Sequence, residues 1–367
     1  MKKILPVLSL LSVLVVSCYE EIIIPVGDED PVVVMNAQLN TADTTHEIHL
    51  SVSRNNRVWG LDGADVRVTV NGKTTLTATQ VYDDYSPDAT TNYRYWEQVY
   101  AFDADLKPGD EVHIEARKDA FEVTATVVAP PAVDLSIIDT STVRMSYMGD
   151  TGDYLQVKLG FRDLPGDSWY RVAACMESEY AYLDEEGNPS PDYSGVQIWW
   201  MDPETGFDPV ISDGGGKTGG MDIGALLSAE NSYNCFSDNS FRDQECTIRP
   251  LFFPYVIYGY YDRYVFPEIE DYDAYQAIYE EISGMPYYAY RKARLQVRSI
   301  DFTQYHYLKA LQNLDTYGTE MTFLVEPTIL PSNVEGGLGF VGLETVSEVV
   351  FYEKETVLPP MKDQVYY

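Results

Sequence analysis

Alternation of apolar and polar residues between Pro31 and Pro131 is the feature that most constrains the fold. Apolar side chains fall at every second position there, which is typical of strands that place one face on a core. Asn71-Gly72 and Lys107-Pro108-Gly109-Asp110 are turn sequences between such strands. The pattern predicts an immunoglobulin-like β-sandwich over residues 31–129. Its predicted strands are Val32–Leu39, Glu47–Ser53, Asp65–Asn71, Thr75–Val81, Tyr95–Phe102, Glu111–Arg117 and Phe121–Val128.

A stiff linker, Ala129-Pro130-Pro131-Ala132, separates this region from a larger β-rich domain predicted over residues 133–367. This domain contains an irregular, tyrosine-rich insert at about 202–290 and two or so helices. One predicted helix is the amphipathic run Pro267–Ile282; the other begins after an Asp301 cap and ends at about Asn313. The expected fold class is therefore mainly β. The remaining predicted strands are Val133–Met145, Tyr154–Phe161, Trp169–Met176, Gly195–Trp200, Lys292–Ser299, Glu320–Val325 and Thr345–Tyr352.

Residues 1–17 have the features of an export signal. Lys2 and Lys3 precede a short apolar run, 4–16, which is too short to span a bilayer, and Cys18 follows it. This arrangement resembles a bacterial lipoprotein signal and predicts lipidation at Cys18, with an uncleaved anchor or a plain secretory signal as alternatives. Three acyl chains would hold the protein stably at a membrane, and residues 18–30 would form a tether.

Acidic residues dominate the composition. Asp and Glu number 58 against 25 Lys and Arg, which gives a formal net charge of -33. Such a surface repels phosphate backbones, so we expect no nucleic-acid binding. Solubility is one explanation of the charge; divalent cations or a cationic partner are the functional alternative.

Three cysteines remain after Cys18. Cys235 and Cys246 lie in a polar stretch, and in an exported protein their separation predicts a loop-closing disulfide. Cys175 lies in an apolar run and is predicted to be a buried free thiol rather than a nucleophile. No pair has the spacing of metal ligands.

Three segments resemble chemical motifs without meeting their requirements. The stretch 337–342 has the glycine pattern of a dinucleotide fingerprint, but a strand pattern follows it, so a turn is predicted. His46 and His49 are three residues apart and would face opposite sides of a strand. Residues 184–192 predict a hairpin loop, with a weak calcium site as the alternative. No nucleophile elbow or P-loop occurs, so we expect neither an enzyme nor a bound cofactor or metal.

Aromatic residues are the best candidates for ligand contact. The chain has 30 tyrosines, and flat rings stack well on sugars and on protein partners. Core or interdomain packing is the competing interpretation. Adjacent tryptophans on a strand point in opposite directions, so at least one of the pair is expected in the core. The candidates are Trp199, Trp200, Tyr258, Tyr260 and Tyr261.

Several segments together resemble one family, the Bacteroidetes outer-membrane lipoproteins called domain of unknown function 4249. Besides the lipidation signal and acidic start, the segments are Val32–Leu39, Leu50–Arg54, Ala64–Gly72, Leu295–Asp301 with Tyr305–Leu308, and Pro331–Phe340. The resemblance extends over most of the mature chain but not residues 178–290, and it implies a location and an architecture, not an activity.

The resemblance implies a non-catalytic binding or accessory lipoprotein of the outer membrane, often beside a TonB-dependent transporter. Tyr19-Glu20-Glu21 resembles a surface-export signal, so we expect the protein to face the extracellular medium, with the periplasmic leaflet as the alternative. The alternative function is an extracellular glycan-binding or glycan-cleaving module, which the aromatic residues favour.

Overall fold

In the first part of the fold, several strands bury every second side chain. The computed structural model describes residues 30–54, 57–81, 97–147, 150–212, 231–253, 278, 280–317 and 330–360. In β7, for example, Val112, Ile114 and Ala116 are buried while their neighbours are partly or fully exposed. The first strands are β1 (Val32–Asn40), β2 (Thr45–Arg54), β3 (Arg57–Gly60), β4 (Asp65–Val70), β5 (Thr74–Gln80), β6 (Gln98–Asp103), β7 (Glu111–Lys118) and β8 (Phe121–Val128).

The second part adds longer strands and the α-helix α1 to the described chain. The chain is mainly β, as predicted; the immunoglobulin-like arrangement stays a prediction. The elements are β9 (Leu135–Tyr147), β10 (Asp150–Arg162), β11 (Trp169–Leu183), β12 (Pro189–Met201), β13 (Cys235–Ser237), β14 (Glu245–Ile248), β15 (Leu251–Phe252), β16 (Tyr287–Ile300), α1 (Phe302–Tyr317) and β17 (Val341–Leu358).

Two sheets contain all these strands. The larger sheet has thirteen strands among the described residues, in the order β12-β11-β16-β17-β1-β2-β6-β5-β4-β7-β8, with β13 beside β11 and β3 beside β2. The smaller sheet consists of β9, β10, β14 and β15. β17 joins the two halves of the larger sheet, because it pairs in parallel with β1 and antiparallel with β16.

Each half of the chain has its own apolar core. The first core is built from β1, β2 and β4–β8, and Val334, Val341 and Leu343 from near the C-terminus also belong to it. The second core lies between the smaller sheet and the β11–β16 part of the larger one, and Phe161, Tyr170 and Leu295 are among its buried residues. The predicted domain from residue 133 onward thus contributes side chains to the first core.

The glycine-rich segment 335–340 lies against the open edge of the first half. Glu335 exchanges backbone hydrogen bonds with Thr124 of β8, and Leu338 does so with Val33 and Met35 of β1. The segment then enters β17, so the predicted turn into a strand is confirmed. Gly339 has φ +114°, and a Cβ there would lie 2.1 Å from the Met35 carbonyl oxygen, so only glycine fits.

Helix α1 begins as predicted. The Asp301 carboxylate accepts a hydrogen bond from the Gln304 backbone N–H at 2.6 Å, which is an N-cap. Gln304 does not return the bond to the cap backbone; its side chain instead reaches Glu344. The helix ends at Tyr317, beyond the predicted end at about Asn313.

Parts of the predicted structure lie outside the described residues. These parts are the signal peptide 1–17, the tether 18–30 up to residue 29, the strand Glu320–Val325 and most of the helix Pro267–Ile282, of which 278 and 280–282 are described as helical. The described parts of the insert 202–290 contain β13, β14, β15 and the start of β16. No helix within the described ranges is both long and apolar enough to cross a bilayer.

Candidate functional site

Edge strand β12 carries three large apolar side chains that face solvent. Val196, Ile198 and Trp200 are 64%, 58% and 61% exposed. They alternate along one strand and therefore share one face of the sheet. We call these three residues the β12 stripe. Single exposed apolar residues are ordinary, but a continuous row indicates a contact surface.

The two predicted tryptophans have opposite environments. Trp199 is half-buried and packs against the second core, whereas Trp200 lies on the other face, in the β12 stripe. The prediction that at least one of them belongs to the core is confirmed. The outer face is the face of β12, β11, β16 and β17 that bears Trp200.

Arg298 of β16 fixes the position of the Trp200 ring. Its guanidinium carbon lies 4.9 Å from the ring centroid, a cation–π distance. The Nε and Nη2 groups of the same guanidinium donate to the Gln296 Oε1, at 3.0 and 2.7 Å. The Arg298 side chain is itself only 11% exposed, so it contacts the exposed Trp200 ring from the protein side.

Glu344 is the buried end of this arrangement. Its side chain is 2% exposed and accepts hydrogen bonds from Arg298 Nη1 at 2.6 Å, Arg171 Nη1 at 3.2 Å and Gln304 Nε2 at 2.8 Å. These donors come from β16, β11 and α1, and Glu344 itself is on β17. A charged network therefore ties four elements together beneath Trp200.

A second ion-pair group lies beside the β12 stripe. Arg294 donates to Glu177, and its Nε is 3.5 Å from a Glu348 oxygen. Cys175 is paired with Trp200 on one side and with Arg294 on the other, and it is buried and free. Burial raises the pKa of this thiol, although the Arg294 charge offsets part of the effect. A raised pKa disfavours the thiolate and with it a nucleophilic role.

Carboxylates and tyrosines form the far margin of the outer face. Glu179 of β11 lies opposite Val196 of β12 on one side and opposite Tyr290 of β16 on the other. A hydrogen bond to Glu353 raises the pKa of Tyr290, and partial burial followed by the charges of Glu355 and Glu179 raises that of Tyr288. The Val196 end of the β12 stripe is therefore bordered by the Glu179 carboxylate, whereas Arg298 lies against its Trp200 end.

The remaining predicted contact residues, Tyr258, Tyr260 and Tyr261, lie outside the described residues, as does the lipidation site Cys18. Sequence reasoning missed Val196 and Ile198, although alternation with Trp200 on a predicted strand was a usable signal. It also missed Arg298 and Glu344, which only the sheet register brings together.

The predicted disulfide is not formed in this structure. Cys235 and Cys246 are both free and buried. Cys235 is on β13, which pairs with β11 of the larger sheet, whereas Cys246 is on β14 of the smaller sheet. The two thiols therefore lie in different apolar clusters, and burial raises the pKa of each to about 12.

The described ranges hold no group of three or more His, Cys, Asp or Glu residues that could bind a metal ion. The His46 ring is buried and its Nε2 is 3.0 Å from the Ala104 carbonyl oxygen, while His49 is partly exposed. Asp184 closes the β11–β12 hairpin by accepting from the Asn188 backbone N–H at 2.7 Å, a bond that lowers the pKa of the carboxyl.

Comparison with known proteins identifies the family. The model of the family described as "Domain of unknown function (DUF4249)" matches residues 19–349. The chain belongs to the DUF4249 family. In this DUF4249 protein the match includes the β12 stripe, the Glu344 network and the glycine-rich segment.

Other comparisons add little. No curated protein matches the chain. A crystal structure of a DUF4785 family protein from Legionella pneumophila is similar with a TM-score of 0.20 and 7% identity. The match covers 71% of this chain and 51% of that one, so the DUF4249 chain spans about half the length of that structure. A TM-score this low supports no argument about fold or function.

Proposed function

We propose that this DUF4249 protein is a non-catalytic binding component of the outer membrane, held there by lipid on Cys18 and facing the extracellular medium. Its partner would be an outer-membrane protein, with a TonB-dependent transporter as the candidate. The β12 stripe is the observation that carries this proposal. Three apolar side chains between 58% and 64% exposed on one strand lose most of their unfavourable hydration when a partner covers them.

The geometry of the outer face favours binding over chemistry. Trp200 is held by Arg298 before any partner arrives, so less side-chain entropy is lost on binding. The charged residues that surround it are engaged in ion pairs that join β11, β16 and β17. The negative margin formed by Glu179 and Glu355 would favour a partner surface with Lys or Arg around an apolar centre.

Site-specific photo-crosslinking in intact cells tests this role. A benzophenone amino acid replaces Ile198, and the same substitution at Thr77, an exposed residue of β5, is the matched control. We expect one dominant adduct from position 198, identified by mass spectrometry as a TonB-dependent transporter, and no such adduct from position 77. Equal adducts from both positions, or none from 198, would contradict the proposal.

The location is tested separately. Labelling with palmitate should mark the wild type and not Cys18→Ala, and protease added to intact cells should degrade a surface-exposed protein. Unchanged labelling of Cys18→Ala would refute the anchor without bearing on the β12 stripe. Protection from protease would place the protein on the periplasmic leaflet.

A glycan-binding or glycan-cleaving module is the second candidate function. The observation that favours it is the Trp200 ring, which is exposed, flat and held in one orientation, as a sugar-stacking platform requires. A glycan array that shows binding by the wild type and loss with Trp200→Ala would support it. Released reducing ends would indicate cleavage rather than binding alone.

A further inference from the structure

A groove of about 500 Å³ lies on the surface of β1 and β2 and shares no residue with the β12 stripe. Gln38 of β1 and Glu47 of β2 line it, and Tyr307 of α1 and Phe340 form an aromatic wall. The groove is therefore built where the helix of the second half meets the sheet of the first half.

The aromatic wall is rigid. The rings of Tyr307 and Phe340 stack with centroids 4.2 Å apart and planes 11° apart. Phe340 is 3% exposed, and its backbone N–H donates to the Asn36 side chain at 2.9 Å while its carbonyl accepts from the Ala37 N–H at 3.0 Å. Phe340 thus holds the Tyr307 ring in one orientation, and the Tyr307 ring forms part of the groove wall.

The groove contains carboxylates, and histidines are the only residues of its described lining that can carry positive charge. The carboxylates of Asp43 and Glu47 line it, and the lining residues within the described chain include neither Lys nor Arg. His49 lies between two carboxylates, with its Nε2 3.7 Å from Glu47 and its Nδ1 3.2 Å from Glu97. The Glu47 side chain is 58% exposed and therefore accessible to a ligand.

We propose that this groove binds an organic cation, a guanidinium or ammonium group, between the Glu47 and Asp43 carboxylates and the Tyr307 ring. Carboxylates form charge-assisted hydrogen bonds with such a group, and an aromatic ring attracts it through its quadrupole. A metal ion would need a third protein ligand, and the described residues supply no such set. The cation belongs either to a free small molecule or to a basic side chain of a peptide.

Calorimetric titration of the full chain in detergent tests the proposal with a charged probe and its neutral isostere. N-acetyl-arginine amide should bind at least about tenfold more tightly than N-acetyl-citrulline amide, which has the same shape without the charge. Added salt should weaken binding of the arginine probe. An arginine-containing peptide that binds far more tightly than the free probe would identify a peptide side chain as the source; equal binding would identify a free cation.

Two variants and one matched control locate the site. Glu47→Gln should weaken the arginine probe by roughly tenfold, and Tyr307→Leu by about three- to fivefold. Glu111→Gln removes an exposed carboxylate of β7 outside the groove and should leave binding unchanged. Thermal unfolding of Glu47→Gln, expected at the wild-type midpoint because the residue is exposed, excludes misfolding as the cause.

Three results would overturn the proposal: equal affinity for the arginine and citrulline probes, no binding of either at millimolar concentration, or equal effects of Glu47→Gln and Glu111→Gln. Because the groove and the β12 stripe share no residue, none of these results bears on the proposed partner.

Discussion

At the scale of single residues, Glu344 combines near-complete burial with two arginine partners. Replacing it by glutamine removes one charge and leaves Arg171 and Arg298 without their shared counter-ion in a site where both are mostly buried. We expect Glu344→Gln to lower the free energy of unfolding by about 3 to 5 kcal/mol, measured by urea denaturation.

Asp65→Asn is the control for this prediction. It breaks the Arg67–Asp65 ion pair, whose side chains are about half exposed, and should cost less than about 1 kcal/mol. A similar loss in both variants would mean that the Glu344 network contributes no more than a surface pair.

The buried thiols of Cys235 and Cys246 make stability depend on pH. Burial raises the pKa of each thiol from the ordinary 9.0 to about 12. Their contribution is therefore fully present below about pH 9 and is lost as pH rises toward about 12. By about pH 10 the free energy of unfolding of the wild type should fall by about 1.4 kcal/mol for each thiol, relative to the double variant Cys235→Ala/Cys246→Ala. Denaturant unfolding across this pH range measures the difference. If the free energies of unfolding of the wild type and the double variant changed in parallel with pH, the burial of the two thiols would be contradicted.

Thiol counting decides between the structure and the disulfide that the sequence predicted. The structure leaves Cys175, Cys235 and Cys246 free. We expect the non-reduced, denatured protein to react with Ellman's reagent at all three, and the native protein to react slowly. Recovery of Cys235 and Cys246 as a disulfide-bonded pair would contradict the free thiols seen in the structure.

At the scale of elements, the glycine-rich segment should tolerate no side chain at residue 339. Gly339→Ala adds a Cβ within 2.1 Å of the Met35 carbonyl oxygen in a backbone conformation that disfavours side chains. We expect a loss of about 3 kcal/mol or more in the free energy of unfolding, and faster amide exchange in β1.

Gly109→Ala is the control for this prediction, because it introduces backbone strain without a steric clash. Gly109 also has a positive φ, +88°, but nothing lies within 4 Å of its added Cβ, so the cost should be about 1 to 2 kcal/mol. Equal losses at the two positions would show that close packing against β1 is unimportant.

Strands with one buried face could be predicted from the sequence, and shorter ones could not. The predicted Phe121–Val128 has the bounds of β8, and the prediction Val32–Leu39 differs from β1 by one residue. Cys235–Ser237 was missed because all three residues of β13 are buried, which removes the alternation. β14 and β15 were missed because four and two residues are too few to establish a period.

The candidate site could be predicted only in part. Adjacent tryptophans on a strand must face opposite sides, so the sequence predicted at least one of Trp199 and Trp200 in the core. The Glu344 network and the groove each combine residues more than a hundred positions apart, and their proximity depends on sheet register. Sequence periodicity carries no information about that register.

At the scale of the whole molecule, β17 makes the two halves interdependent. Val341 and Leu343 complete the first core, and Ser347 further along the strand accepts a hydrogen bond from the Val133 N–H at 3.1 Å. We therefore expect the fragment 30–131, expressed alone, to lack a stable fold, with poor dispersion of amide signals in its NMR spectrum.

A peptide containing residues 331–346 restores the missing strand. Added to the fragment, it should recover part of the dispersion, whereas the same peptide with Gly339→Ala should not. A fragment 30–131 that folds cooperatively without the peptide would show that the first half is an autonomous domain.

The position of β1 also determines how the molecule resists force. β1 is hydrogen-bonded on both sides, to β2 along one edge and to Leu338, Phe340 and β17 along the other. A pull on Val32 directed along β1 would load these bonds together in shear rather than open them one after another. Tension applied to the start of β1 would therefore have to break many hydrogen bonds at once before it reached the β12 edge.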